Sequence, residues 1–153
     1  MTRAPLTDGL TSRDFLGAML DAVPEMSAPV TRRIRSAIAL DHDPADVAFA
    51  RTDVYPLLWD LFNEVLLPLL NTRAGPARDR ELRRVLGFLE RVAGSPEPVV
   101  LDFLGGLVGD YLLDREGAAA YACAGPALRA VMVRACADWG MRVPPEWTGE
   151  TAE

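Results

Sequence analysis

The chain has 153 residues and a formal charge of −6, from 16 basic residues, all arginine, against 22 aspartates and glutamates. That length is one domain, long enough to bury about 68–70% of the surface its unfolded chain exposes without a metal or disulfide. The acidic balance argues against general DNA or RNA binding, which depends on neutralising phosphates, and suits a basic protein partner instead.

Residues 1–11 contain Arg3, Pro5, Asp8 and Gly9 and no apolar run, so they read as a flexible N-terminus without a leader. Ser12 is placed to cap a first helix carrying Phe15, Leu16, Met19, Leu20 and Val23, which Pro24 ends. Ser27 or Pro29 opens a second helix, with Val30, Ile34, Ala37 and Ile38 on its apolar side and Arg32, Arg33 and Arg35 facing out. Asp41-His42-Asp43-Pro44 is a break, with Asp43 as cap for a short helix to about Arg51. Asp53 then caps a longer helix whose stripe is Val54, Leu57, Leu58, Leu61, Phe62, Val65, Leu66 and Leu69. Pro68 should kink or end it.

Gly75-Pro76 lies in a loop. From Arg78 to Ala93 the pattern is clearest: Leu82, Val85, Leu86, Leu89 and Val92 make one face, and Arg80, Arg83, Arg84, Glu90 and Arg91 the other. Gly94-Ser95-Pro96 stops it, and Pro98 begins a helix to about Asp114 that is apolar nearly all round and so should be the most buried. Residues 117–123 are Ala-rich and helical in character. Pro126 to Trp139 is the last helix, with Gly140 as its stop. The domain therefore spans 12–142, and 143–153 form a tail expected to fray beyond Trp147. Leu61, Leu86, Leu89, Phe103 and Leu107 are the predicted core. No stretch is apolar and long enough to span a membrane.

Few polar constellations suggest chemistry. Asp41-His42-Asp43 offers two carboxylates around the sole imidazole, but adjacent loop residues rarely converge on one ion, so no metal and no other cofactor is expected. Cys123 and Cys136 read as reduced thiols of a cytoplasmic protein. A cysteine nucleophile would need His42 as its base, and Cys136 sits near an apolar stripe. No catalytic residue is assigned. Gly105, Gly106 and Gly109 stand inside a helix, where each glycine costs about 0.5–1 kcal/mol relative to alanine. Either another helix approaches closely, or the glycines floor an acidic groove that Asp102, Asp110 and Asp114 supply with charge. The arginine strip reads as a solvated face pairing with Glu81 and Glu90. Trp59, off the stripe of its helix, is an interface anchor or a second buried contact.

Several short segments together resemble a family of small bacterial all-helical proteins of unknown function. They are Asp14-Phe15-Leu16, Val23-Pro24-Glu25-Met26, Tyr55-Pro56-Leu57-Leu58, Phe88-Leu89-Glu90, Val99-Val100, Tyr111-Leu112, Gly125-Pro126 and Asp138-Trp139. Such proteins are loosely associated with the immunity proteins and accessory partners of bacterial toxin systems. The resemblance implies a protein partner and no catalytic residue. The sequence therefore leads to an all-α single domain of five to seven helices, packed as antiparallel helical hairpins in a bundle or short α-α superhelix. Its expected role is to bind a protein through Asp102, Gly106, Asp110, Asp114 and Trp59. The alternatives are a small-molecule site beside Gly105, Gly106 and Gly109, and then an enzyme of unknown type.

Overall fold

A computed structural model describes residues 9–39, 54–114 and 116–149. The Asp41-His42-Asp43 break, the short helix to Arg51 and the Asp53 cap lie outside the described residues. Within them the fold is all-α, with no strand. The helices are α1 (Phe15–Ala22), α2 (Ser27–Ala39), α3 (Val54–Leu61), α4 (Leu67–Asn71), α5 (Pro76–Ala93), α6 (Pro98–Tyr111), α7 (Glu116–Cys123), α8 (Pro126–Asp138) and α9 (Pro145–Thr148).

Pro68 does not end its helix. A π-helical turn at Phe62–Leu66 joins α3 to α4, and the Leu67 N–H reaches back five residues to the Phe62 carbonyl. In an α-helical ladder the proline ring would strike the Glu64 carbonyl. The wider turn just before it relieves that crowding, and the chain stays helical to Asn71.

α5 is the central post. Its face of Leu82, Val85, Leu86, Phe88, Leu89 and Val92 is fully or almost fully buried. Phe15 meets Phe88 edge-on with ring centroids 5.5 Å apart, which brings α1 onto it. α6 packs most extensively on α8 and α3. It runs parallel to α3, since Tyr55 meets Phe103 and, two turns later, Asn63 reaches Tyr111. It also runs parallel to α8, whose N-terminus abuts the end of α5 and whose last turn lies on Gly109. Consecutive hairpins thus set every second long helix side by side, with α6 between α3 and α8.

Four expectations need correction. α6 is not the most buried helix: Val100, Leu104, Leu107 and Val108 are inside, but Val99 is 51% exposed and Asp102, Gly106 and Asp110 are exposed. Neighbours cover two of its sides and leave the third open. Phe103 is accordingly only partly buried, while Leu61, Leu86, Leu89 and Leu107 are core as expected. Ser12 does not cap α1, which begins at Phe15; its N–H and hydroxyl donate to the Glu97 carboxylate at 3.1 and 3.2 Å. Arg33 does not simply face out. It grips the buried Asp60 through two hydrogen bonds of 2.5 and 2.8 Å.

The ordered domain also reaches past both expected boundaries. Leu10 is buried and its N–H donates to the Arg91 carbonyl, where Gly9 crosses Gly94 so closely that a Cβ would overlap the carbonyl. At the other end Trp147 is buried, stacked on Tyr121 with centroids 4.6 Å apart, and the Tyr121 hydroxyl donates to its carbonyl.

Candidate functional site

The glycine-bearing helix has two different uses for its glycines. A Cβ added at Gly105 or Gly106 would meet nothing within 4 Å. Neither residue is there to admit a neighbouring backbone. At Gly109 a Cβ would collide with the Trp139 indole, 2.1 Å from Nε1. Close helix approach, the first of the two readings of this triplet, therefore gives way to one seat for an indole and two bare positions.

Trp139 is held where it is by the end of α8. Gly140 adopts a left-handed φ of 67°, the Gly140 N–H donates to Ala137, and the Met141 N–H donates to Cys136. This pair of bonds ends a helix by turning the chain through a residue that glycine suits best. The indole remains 53% exposed while its Nε1 edge rests on Gly109.

Between α6 and α8 lies a groove of about 420 Å³. Gly105, Gly106, Ala127 and Ala130 leave it open, Asp102, Arg134 and Asp138 line its rim, and Trp139 closes one end. Most of these residues are exposed, so it is a groove and not a sealed cavity. Asp102 and Asp110 make no hydrogen bond or ion pair among the described residues. The Arg134–Asp138 contact is loose, 3.9 Å between side chains 85% and 68% exposed.

On a helix advancing about 100° per residue, Val99, Asp102, Phe103, Gly106 and Asp110 share one side. The parallel register of α3 against α6 places Trp59 level with Gly106 and Leu107. Tyr55 and Trp59 are 42% and 41% exposed. Four of the five expected site residues, Trp59, Asp102, Gly106 and Asp110, thus belong to one open surface. Asp114 lies in the exposed bend after α6 has ended, beyond that helical register.

Several other polar residues are committed elsewhere. Glu90, expected to pair along α5, instead accepts the N–H groups of Ala127 and Leu128 at 2.7 and 2.8 Å, capping α8 from another helix. Gly125 is bare because a Cβ there would overlap that carboxylate. Of the arginine strip, Arg84 binds Glu25, Glu81 and the Ala22 carbonyl. Burial raises the Glu25 carboxyl, but hydrogen bonds from Arg84 outweigh it and hold the group below its ordinary value. Cys136 is buried, which pushes its thiol up, and Cys123 is partly buried; neither is in a disulfide. Among the described residues no cluster of His, Cys, Asp and Glu could hold a metal, and no helix is long and apolar enough to cross a membrane.

Sequence reasoning missed Trp139, Arg134 and Asp138 as parts of the site. The signal was present as Asp138-Trp139 before a helix-ending Gly140, but nothing in one sequence pairs that end with Gly109. No family model matches the chain, and no curated protein and no solved structure matches it.

Proposed function

We propose that this is a non-catalytic domain that binds a protein partner across the open side of α6, between Tyr55 and Trp59 on α3 and Trp139 on α8. The observation that carries the reading is half-exposed aromatic rings on both flanks of a helix face whose carboxylates, Asp102 and Asp110, have no partner among the described residues. Large exposed aromatics concentrate in interaction surfaces, where they act as anchors. Unpaired carboxylates beside them favour a basic partner through encounter rate and orientation. An exposed acidic groove bearing an aromatic wall suits this reading better than a small-molecule site, which calls for an enclosed apolar cavity with a few convergent polar groups. An immunity or accessory role is the version of this function that the family resemblance supports.

Site-specific photocrosslinking in the native host tests it. A benzoylphenylalanine at position 59 should give a discrete adduct, and one at Arg80 on the far strip of α5 should not. The captured protein, purified, should bind the wild-type chain and bind Asp102→Asn/Asp110→Asn more weakly, with flatter salt dependence. Identical adducts from both positions, or none from position 59, would sink the proposal.

A further inference from the structure

We infer that the groove between α6 and α8 seats one arginine side chain of a basic protein partner, its guanidinium set between the Trp139 indole and the Asp102 carboxylate. This rests on the protein-binding reading of the face and adds where the partner's charge enters and which side chain carries it.

The groove is floored by small residues, and at its two glycines nothing in the fold requires the missing side chain. Gly105 and Gly106 have open space where a side chain would begin, and Ala127 and Ala130 continue that space across α8. One long side chain can lie along such a floor. The wall at its end is fixed: the left-handed turn at Gly140 aims Trp139, and Gly109 receives its edge. A cation against an indole is favourable even when exposed to water.

The charge balance points the same way. Asp102 has no partner among the described residues, and Asp138 has only the distant contact to Arg134. Among the described residues Arg134 is the one cation lining the groove. At 85% exposure it is not buried in place and can swing to solvent or to Asp138. A planar guanidinium can stack on a ring and present paired N–H groups to a carboxylate at once; an ammonium can do only one of these well. Asp102 and Gly106, which line the groove, also lie on the exposed side of α6 that Tyr55 and Trp59 flank, which favours a side chain delivered by a protein over a free metabolite.

The test uses acetyl-arginine-methylamide as probe, with its neutral citrulline counterpart and its lysine counterpart, titrated into the isotope-labelled chain. The indole N–H signals of Trp59, Trp139 and Trp147 report separately. A saturable shift is expected at Trp139 with arginine, a smaller one with lysine and none with citrulline. Asp102→Asn should weaken the arginine response about fivefold, as expected for losing one exposed charge-assisted contact. Gly106→Leu, which fills open space, should abolish the response while the spectrum stays folded. An equal response to citrulline, or an Asp102→Asn variant that binds arginine unchanged, would overturn the inference. If arginine does not bind but the position-59 crosslink persists, the groove assignment falls and the protein-binding reading stands. If arginine binds and no crosslink forms, a protein-borne arginine is excluded as its source.

Discussion

The seams between helices and the open side of α6 treat charge in opposite ways. At the seams each carboxylate has a structural task. Asp60 holds Arg33, Glu64 holds Arg32 at 2.6 Å, Glu25 and Glu81 hold Arg84, Glu97 holds Ser12, and Glu90 caps α8. On α6 the carboxylates Asp102 and Asp110 hold nothing among the described residues, and aromatic rings beside them stay half exposed. The same residue type therefore means two things in one small domain. What separates them is whether a donor lies within reach, not composition. The seams account for the fold, and the open side is where a function can be placed.

That contrast can be broken experimentally, beginning where the effect should be greatest. Asp60→Ala should destabilise the domain by about 2–4 kcal/mol, somewhat below the loss for a fully buried pair because Arg33 is partly exposed. Urea unfolding would show it as a lower midpoint with an unchanged slope. Glu90→Ala leaves the first N–H groups of α8 without their acceptor and should cost about 1–2 kcal/mol, measured the same way. Equal stability of either variant and the wild type would mean that the seams are not held as described.

The glycines of α6 sharpen the comparison at smaller magnitude. Gly105→Ala puts a methyl group into open space and should raise stability by about 0.5–1 kcal/mol through helix propensity. Gly109→Ala should gain less or lose, because the Trp139 ring must move, and tryptophan fluorescence should shift toward that of a more hydrated indole. A destabilised Gly105→Ala would show that something packs on that face. The smallest effect concerns Glu25. Its carboxyl is held below the ordinary value of 4.5, so the Arg84 pair stabilises the fold above that pH and loses its contribution as pH falls below it. The stability difference between wild type and Glu25→Gln should shrink across that window, and the side chain's exposure keeps the difference under about 0.5 kcal/mol.

The helices and the buried face of α5 were legible in the sequence because a 3.6-residue period survives without knowledge of neighbours. Gly140 as the stop of α8 was legible for the same local reason. What could not be read depended on contacts distant in sequence. Glu90 caps a helix 37 residues on, and Asp60 is held by Arg33, 27 residues before it. α6 looked the most buried because its composition is apolar, but parallel neighbours on two sides leave Val99, Asp102 and Gly106 outside. Pro68 looked like a terminator because a π turn is not written in residue type. That Asp102, Gly106 and Asp110 share a helix face and that Trp59 lies off its stripe was legible from helix periodicity alone. Trp139 was not, since its seat on Gly109 joins two separate helices.

The most direct test of the open face compares stability with association in one variant, Trp59→Ser/Asp102→Asn/Asp110→Asn, using the protein that the position-59 crosslink captures. The face is free of structural duty if the melting temperature stays within about 2 °C of wild type, the shift expected from a few tenths of a kcal/mol in a domain of this size, while binding of that protein falls at least about tenfold, as when anchor residues are lost. A melting temperature lowered as far as that of Asp60→Ala, with binding of the captured protein unchanged, would contradict it.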